Sequence, residues 1–175
     1  MNQGSDHQTS PDPGLFVHTT LKAWETQVNR MNDFFESMSD DDLMREVAPG
    51  RNRGVYLLGH LTAVNDAIMP LLGLGQKLYP HLEKIFISTP DKAGLEFPPT
   101  KELRQCWNEV NEDLLEHFIR LEPAEWLAKH AAVSADDFAK EPHRNRLNVV
   151  IARTTHMHYH LGQLIFIKKV SDGYR

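Results

Sequence analysis

The sequence predicts an all-α fold, a four-helix bundle. Four long segments carry apolar residues at helical spacing with charged opposite faces. No run alternates apolar and polar residues long enough to mark a sheet. Turn-forming and polar stretches separate the four segments, and no internal repeat is present.

Met1 to Gly14, "MNQGSDHQTSPDPG", is polar and rich in turn formers and reads as a flexible lead-in. Residues 15–175 read as one domain, a normal size for a single core. The first helix is expected from Leu15 to Met38, with Leu15, Val17, Leu21, Trp24, Val28, Met31, Phe34 and Phe35 on its apolar face. "SDDD" and Pro49-Gly50 place a connection at 39–53. The second helix is expected from Gly54 to Leu72, with Pro70 kinking or closing its last turn.

Gly73 to Pro99 is irregular, bearing Gly73, Gly75, Pro80, Pro90, Pro98 and Pro99, with one short helix expected near His81–Phe86. Connections of this length are crossovers, lids or disordered segments. Thr100, after two prolines, is expected to cap the third helix, which runs to about Leu121, and "EPAEW" offers a further turn. Another polar connection spans 131–147, and the last helix is expected from Asn148 to Val170, stopped by "SDG".

The formal net charge is −5 and no Lys/Arg stripe is present, which argues against a dedicated nucleic-acid binder. A signal-peptide pattern and an uninterrupted apolar run of membrane-spanning length are both missing, so no membrane partner is expected. The single cysteine, Cys106, excludes an intramolecular disulfide and thiolate zinc clusters, and it reads as a small core residue. A reducing, cytoplasmic location is the expectation.

The chemistry concentrates in "TTHMHYHLGQLIF". At 100° per residue, His156 and His160 lie roughly 40° apart and about 6 Å along the axis, on one face, while His158 points to the opposite side. Imidazoles at i and i+4 can chelate one metal ion, but the same spacing also arises in structural histidines. His60, on the apolar stripe of the second helix in "LLGHLTAV", needs a polar partner in the bundle interior, and a metal shared with His156 and His160 would supply one. A zincin is not supported, because Met157 stands where H-E-x-x-H needs Glu. A ferritin-like di-iron site is not supported either, since no histidine has Glu three residues before it.

The "GHL" around His60, together with "HMHYHLGQL", resembles the DinB-like (DinB/YfiT) superfamily of metal-binding four-helix bundles. The likeness extends from Leu15 to Val170 and departs from the usual motif at Leu161, where a basic residue is frequent. It implies an up-down-down-up bundle, with the 73–99 stretch as the crossover between helices two and three. It implies metal ligands at His60, His156 and His160, a divalent ion such as zinc or nickel, and a homodimer. The implied activity is that of a thiol S-transferase using a low-molecular-weight thiol, or of a small-molecule hydrolase. A non-catalytic metal-binding or interaction bundle acting through a dimer face is the rival reading, and a metal-free structural bundle is a third.

No general base stands out. Asn65, Asp66, Asp113, Glu116 and His117 are candidates to support the site, although each also fits a solvated helix face. Lys84, Lys92, Arg51 and Arg53 could meet an anionic substrate, and Trp24, Trp107 and Trp126 could line a pocket.

Overall fold

The computed structural model describes residues 12–168. Most of the lead-in read from 1–14, and the "SDG" stop expected after the last helix, lie outside the described residues. The chain is all-helical, and no strand occurs among the described residues.

Helix α1 spans Pro13–Ser37, with the Asp12 carboxylate accepting from the Gly14 N–H and proline in the first turn. Its start falls two residues before Leu15. The connection that follows holds a short helix, α2 (Asp40–Leu43), capped by Ser39 and opened by three aspartates that suit the positive end of a helix dipole. The second long segment divides at Ala67 into α3 (Gly54–Asp66) and α4 (Ile68–Leu72), and Gly73 ends it with φ +70. Glycine meets that left-handed requirement without a Cβ penalty.

The expected short helix is α5 (Leu82–Phe86). Helix α6 spans Thr100–Phe118, and its N-cap is Pro99 rather than Thr100. Pro99 holds the extended backbone that an entry to a helix needs, and Thr100 becomes the first helical residue without a side-chain cap bond. Two short helices, α7 (Pro123–Trp126) and α8 (Ala135–Lys140), fill the connection to α9 (Arg146–Leu164). Helix α9 begins two residues before Asn148, because the Asn145 side chain caps it, and it tightens into a 3-10 turn at Ile165–Ile167.

The four long elements pack pairwise: α1 against α9 and α6, α3 against α6 and α9. Helices α1 and α6 run in opposite directions, with Trp24 edge-on to Phe118 and Phe35 edge-on to Trp107 at ring separations of 5.6 and 5.7 Å. Helices α3 and α6 run the same way. Tyr56 meets Phe97 just before α6 begins, and Asn65 donates to Asn111 further along, at 2.9 Å. Helices α3 and α9 are opposed, since Gly54 abuts Ile167 just beyond α9 while Asn65 meets Met157.

Trp24, Trp107 and Trp126 are all core residues, each no more than 1 % exposed, and Trp24 also forms part of the wall of a cleft between α1 and α6. Cys106 is likewise buried. Gly54–Leu72 is long and apolar enough to cross a membrane, yet 78 % of that window is buried inside the fold, as in a core helix.

The 73–99 crossover is packed down. The Asp66 carboxylate accepts from the backbone N–H groups of Leu78 and Tyr79 at 2.8 and 2.9 Å. Arg53 grips Asp91 through both its Nε and Nη2. Leu82 and Phe86 are fully buried. This anchoring carries α5 onto α3 beside His60.

Candidate metal centre

Gly59 sets the distance between α3 and α5. A Cβ there would overlap the Phe86 ring, so only glycine lets the two helices approach this closely. The approach brings the Phe86 carbonyl to 2.8 Å from His60 Nδ1, which donates to it. Tyr56, one turn earlier, stacks parallel to the His60 ring and donates its hydroxyl to the Thr89 carbonyl. His60 is thereby held in the tautomer with a bare Nε2 facing α9.

On α9 the i,i+4 spacing does what the helical geometry predicts. His160 Nε2 and His156 Nε2 lie 2.9 Å apart, and His60 Nε2 lies 3.4 Å from His156 Nε2. His160 donates from Nδ1 to Gln163 Oε1 at 2.8 Å, which bares its Nε2 as well. Gln163 is steadied in turn by donating Nε2–H to the Tyr159 hydroxyl. One ring nitrogen from each histidine lies within 4.8 Å of the other two, close enough for all three to share one metal ion.

The proton count favours a cation at this point. His60 and His160 each spend their proton on Nδ1, so both direct a lone pair at His156 Nε2. A proton on that nitrogen can satisfy one of them but not both. Tetrahedral zinc with Zn–N bonds of 2.0–2.1 Å sets its ligand nitrogens about 3.3 Å apart, close to the observed separations. Two of the three rings also have the outer hydrogen bond, to a carbonyl or an amide oxygen, that orients a metal-ligating imidazole.

Electrostatics keep the three rings neutral. Burial is the first cause of the lowered pKa in each. His156 is pushed down furthest, from 6.5 to about 4, by burial and then by His160, His60 and Arg153. Below pH 6.5 the unfolded chain takes up a proton at this position that the folded chain refuses. Stability of the metal-free protein should therefore fall as pH drops from about 6.5 to about 4. Thermal melts across that window should show the decline, and His156→Ala should make it shallower.

The remaining candidates sit elsewhere. His158 is exposed and donates from Nδ1 to the Thr154 carbonyl, facing α1, as its angular position predicts. Asn65 is bonded to Asn111 and Asp66 to the crossover backbone, so neither hydrogen-bonds a histidine of the cluster. His117 pairs with Asp113 on its own helix, and Glu116 pairs with Arg120. Arg53 is committed to Asp91 and Lys92 to Glu46.

The residues that sequence reasoning missed are Gly59 and Phe86, Tyr56, Tyr159 and Arg153. Arg153 lies one turn before His156 on the same face, half-buried. Gln163 lies in the "HMHYHLGQL" stretch that carries the family resemblance. Here it has a defined role, and Gln163→Ala should weaken metal binding by roughly 10- to 100-fold with the fold intact. Competition against a chromophoric chelator measures that loss.

A groove of about 370 Å³ touches the Tyr159–Gln163 pair and is lined also by Val47, Ala48, Arg51 and Phe166. A cleft of about 320 Å³ between α1 and α6, with Asn32, Asn108 and Glu112 on its walls, has none of the three histidines among its lining residues. Compared with models of known families the chain matches none, and no curated protein matches it. The three-histidine geometry is therefore the ground on which its chemistry stands.

Proposed function

We propose that this protein is a mononuclear metal-binding four-helix bundle of the DinB-like kind, holding zinc or nickel through His60, His156 and His160. The observation that carries the reading is the convergence of two bare Nε2 lone pairs on a third imidazole nitrogen at 2.9 and 3.4 Å. The helix directions support the bundle: α1 opposes α6, α6 parallels α3, and α3 opposes α9, an up-down-down-up order with 73–99 as the crossover.

Its activity, in this reading, is transfer of a low-molecular-weight thiol to a small electrophile, or hydrolysis of a small substrate, in the cytoplasm. It acts as a homodimer and needs neither nucleic acid nor membrane. A divalent ion on three neutral ligands keeps its charge uncompensated, and so makes a bound thiol or water nucleophilic at neutral pH. The chain's part is to hold the rings of His60 and His160 in their ligating tautomers through Phe86 and Gln163, and to cover the His60 ring with Tyr56. In thiol transfer the S–H proton leaves to solvent, the sulfur forms the new S–C bond, and the leaving group departs with the electron pair of the bond it breaks.

The test is conjugation of a chloro-substituted aromatic electrophile by the zinc- or nickel-loaded protein with a panel of small thiols. Metal-dependent release of chloride, abolished in a His156→Ala/His160→Ala variant, supports the transferase. A metal-loaded protein that turns over neither this pair nor activated esters supports the non-catalytic bundle instead.

A further inference from the structure

Arg153 has an unusual position for an arginine. Residues 153, 156 and 160 stand at i, i+3 and i+7, one stripe along α9 that faces α3. The side chain is half-buried, its Nε is shielded from solvent, and that Nε has no hydrogen-bond partner. Every ion pair among the described residues leaves Arg153 out, and none brings a carboxylate to the three histidines. Arg153 and His156 are neighbours one turn apart on the same face of α9, which places the guanidinium stem beside the centre. Arg146 also has an unpartnered Nε, but it lies two turns away at the start of α9.

A guanidinium stays charged under all ordinary conditions and presents a planar fork of donors that matches a carboxylate. Evolved proteins rarely leave such a group half-buried and unpaired, because an unmet charged donor is costly. Around the three histidines the positive charge would be threefold once a divalent ion is bound, with no carboxylate among the described residues ion-paired to Arg153 or to the histidines to offset it. The missing partner is then an anion that arrives from outside.

We propose that Arg153 binds the carboxylate of the substrate, so that the ligand of this site is a small acid carrying its metal-binding atom a few bonds from the carboxylate. The proposal rests on the three-histidine metal reading. It narrows the substrate class to anionic thiols or acids and makes Arg153 a substrate-binding residue.

Cobalt-substituted protein provides the test, since a thiolate bound to cobalt(II) adds an absorption band that can be titrated. The probes are 3-mercaptopropionate and its neutral methyl ester, offered to wild type, Arg153→Gln and Arg153→Lys, with cobalt stoichiometry measured for each. Wild type should bind the acid roughly 10- to 100-fold more tightly than the ester. Arg153→Gln should lose that preference while keeping its cobalt and its affinity for the ester. Arg153→Lys, which keeps the charge and loses the fork, should retain an intermediate preference.

A wild type that binds the two probes equally, or binds neither, overturns the proposal without recourse to a variant. So does an unchanged preference in Arg153→Gln at full cobalt occupancy, which would trace the preference to chelation by the metal. Failure of wild type to take up cobalt removes the metal centre itself, and the Arg153 assignment with it. The stoichiometry measurement separates that result from the others.

Discussion

His156→Ala is expected to weaken zinc binding by more than about a hundredfold while leaving the helical content unchanged. His156 is the hinge of the cluster, since its Nε2 faces both of the other rings. It is also the ligand whose removal disturbs the fold least. Its Nδ1 has no protein partner, whereas His60 and His160 each anchor a hydrogen bond. Taking it away removes a ring that can satisfy only one of the two bare lone pairs facing it.

The metal-free variant should therefore melt at or slightly above the temperature of the metal-free wild type. In the presence of zinc the order should reverse. A ligand present at a thousand times its dissociation constant stabilises the native state by about 4 kcal/mol, and the variant would forgo most of that. Calorimetric melts with and without zinc give both comparisons. A purely structural role for His156 predicts the opposite sign in the metal-free state.

The second large effect is expected at Phe86, where alanine should cost about 3–5 kcal/mol of stability. The ring is fully buried, lies against Gly59 where a Cβ would overlap it, and packs on Tyr56 and Phe97 with centroids 5.7 and 5.0 Å away. No small shift of α3 can fill the space, because Gly59 offers no side chain to move into it. The carbonyl of the same residue fixes His60, so a loosened α5 also releases the ligand tautomer. Zinc affinity should fall by roughly tenfold or more alongside the loss in chemical-denaturant midpoint. Loss of stability with zinc affinity unaltered would separate α5 from the site.

Much of this arrangement was legible in the sequence, for reasons that differ from residue to residue. His156 and His160 were readable because a helix fixes their relative angle, and the same arithmetic put His158 outside. His60 was readable because a polar residue in an apolar stripe requires a partner. The long helices followed from periodicity, with ends shifted by one or two residues where Asp12, Pro99 and Asn145 form the caps.

What the sequence concealed was mostly backbone and context. The bond from His60 goes to a carbonyl, which every residue possesses, so nothing in the letter Phe at position 86 advertises it. Gly59 carries no signal until its neighbour is known. The break at Ala67 lies in the turn before Pro70, which has no N–H to bond the Asp66 carbonyl, so the kink expected from that proline falls three residues ahead of it. Asn65 and Asp66 were sensible supports for the site by spacing, but the core and the crossover claimed them first. Arg153 carries no signal in the sequence because an arginine on an amphipathic helix is usually solvated, and only the packed fold shows its Nε shielded and without a partner.

The central claim is that three imidazoles hold one metal ion, and elemental mass spectrometry of the untagged protein tests it most directly. After reconstitution with zinc or nickel and removal of excess ion, wild type should retain about one ion per chain and His156→Ala/His160→Ala close to none. Equal metal in the two proteins, or none in the wild type, would contradict the account and leave the three histidines as a hydrogen-bonded cluster between α3 and α9.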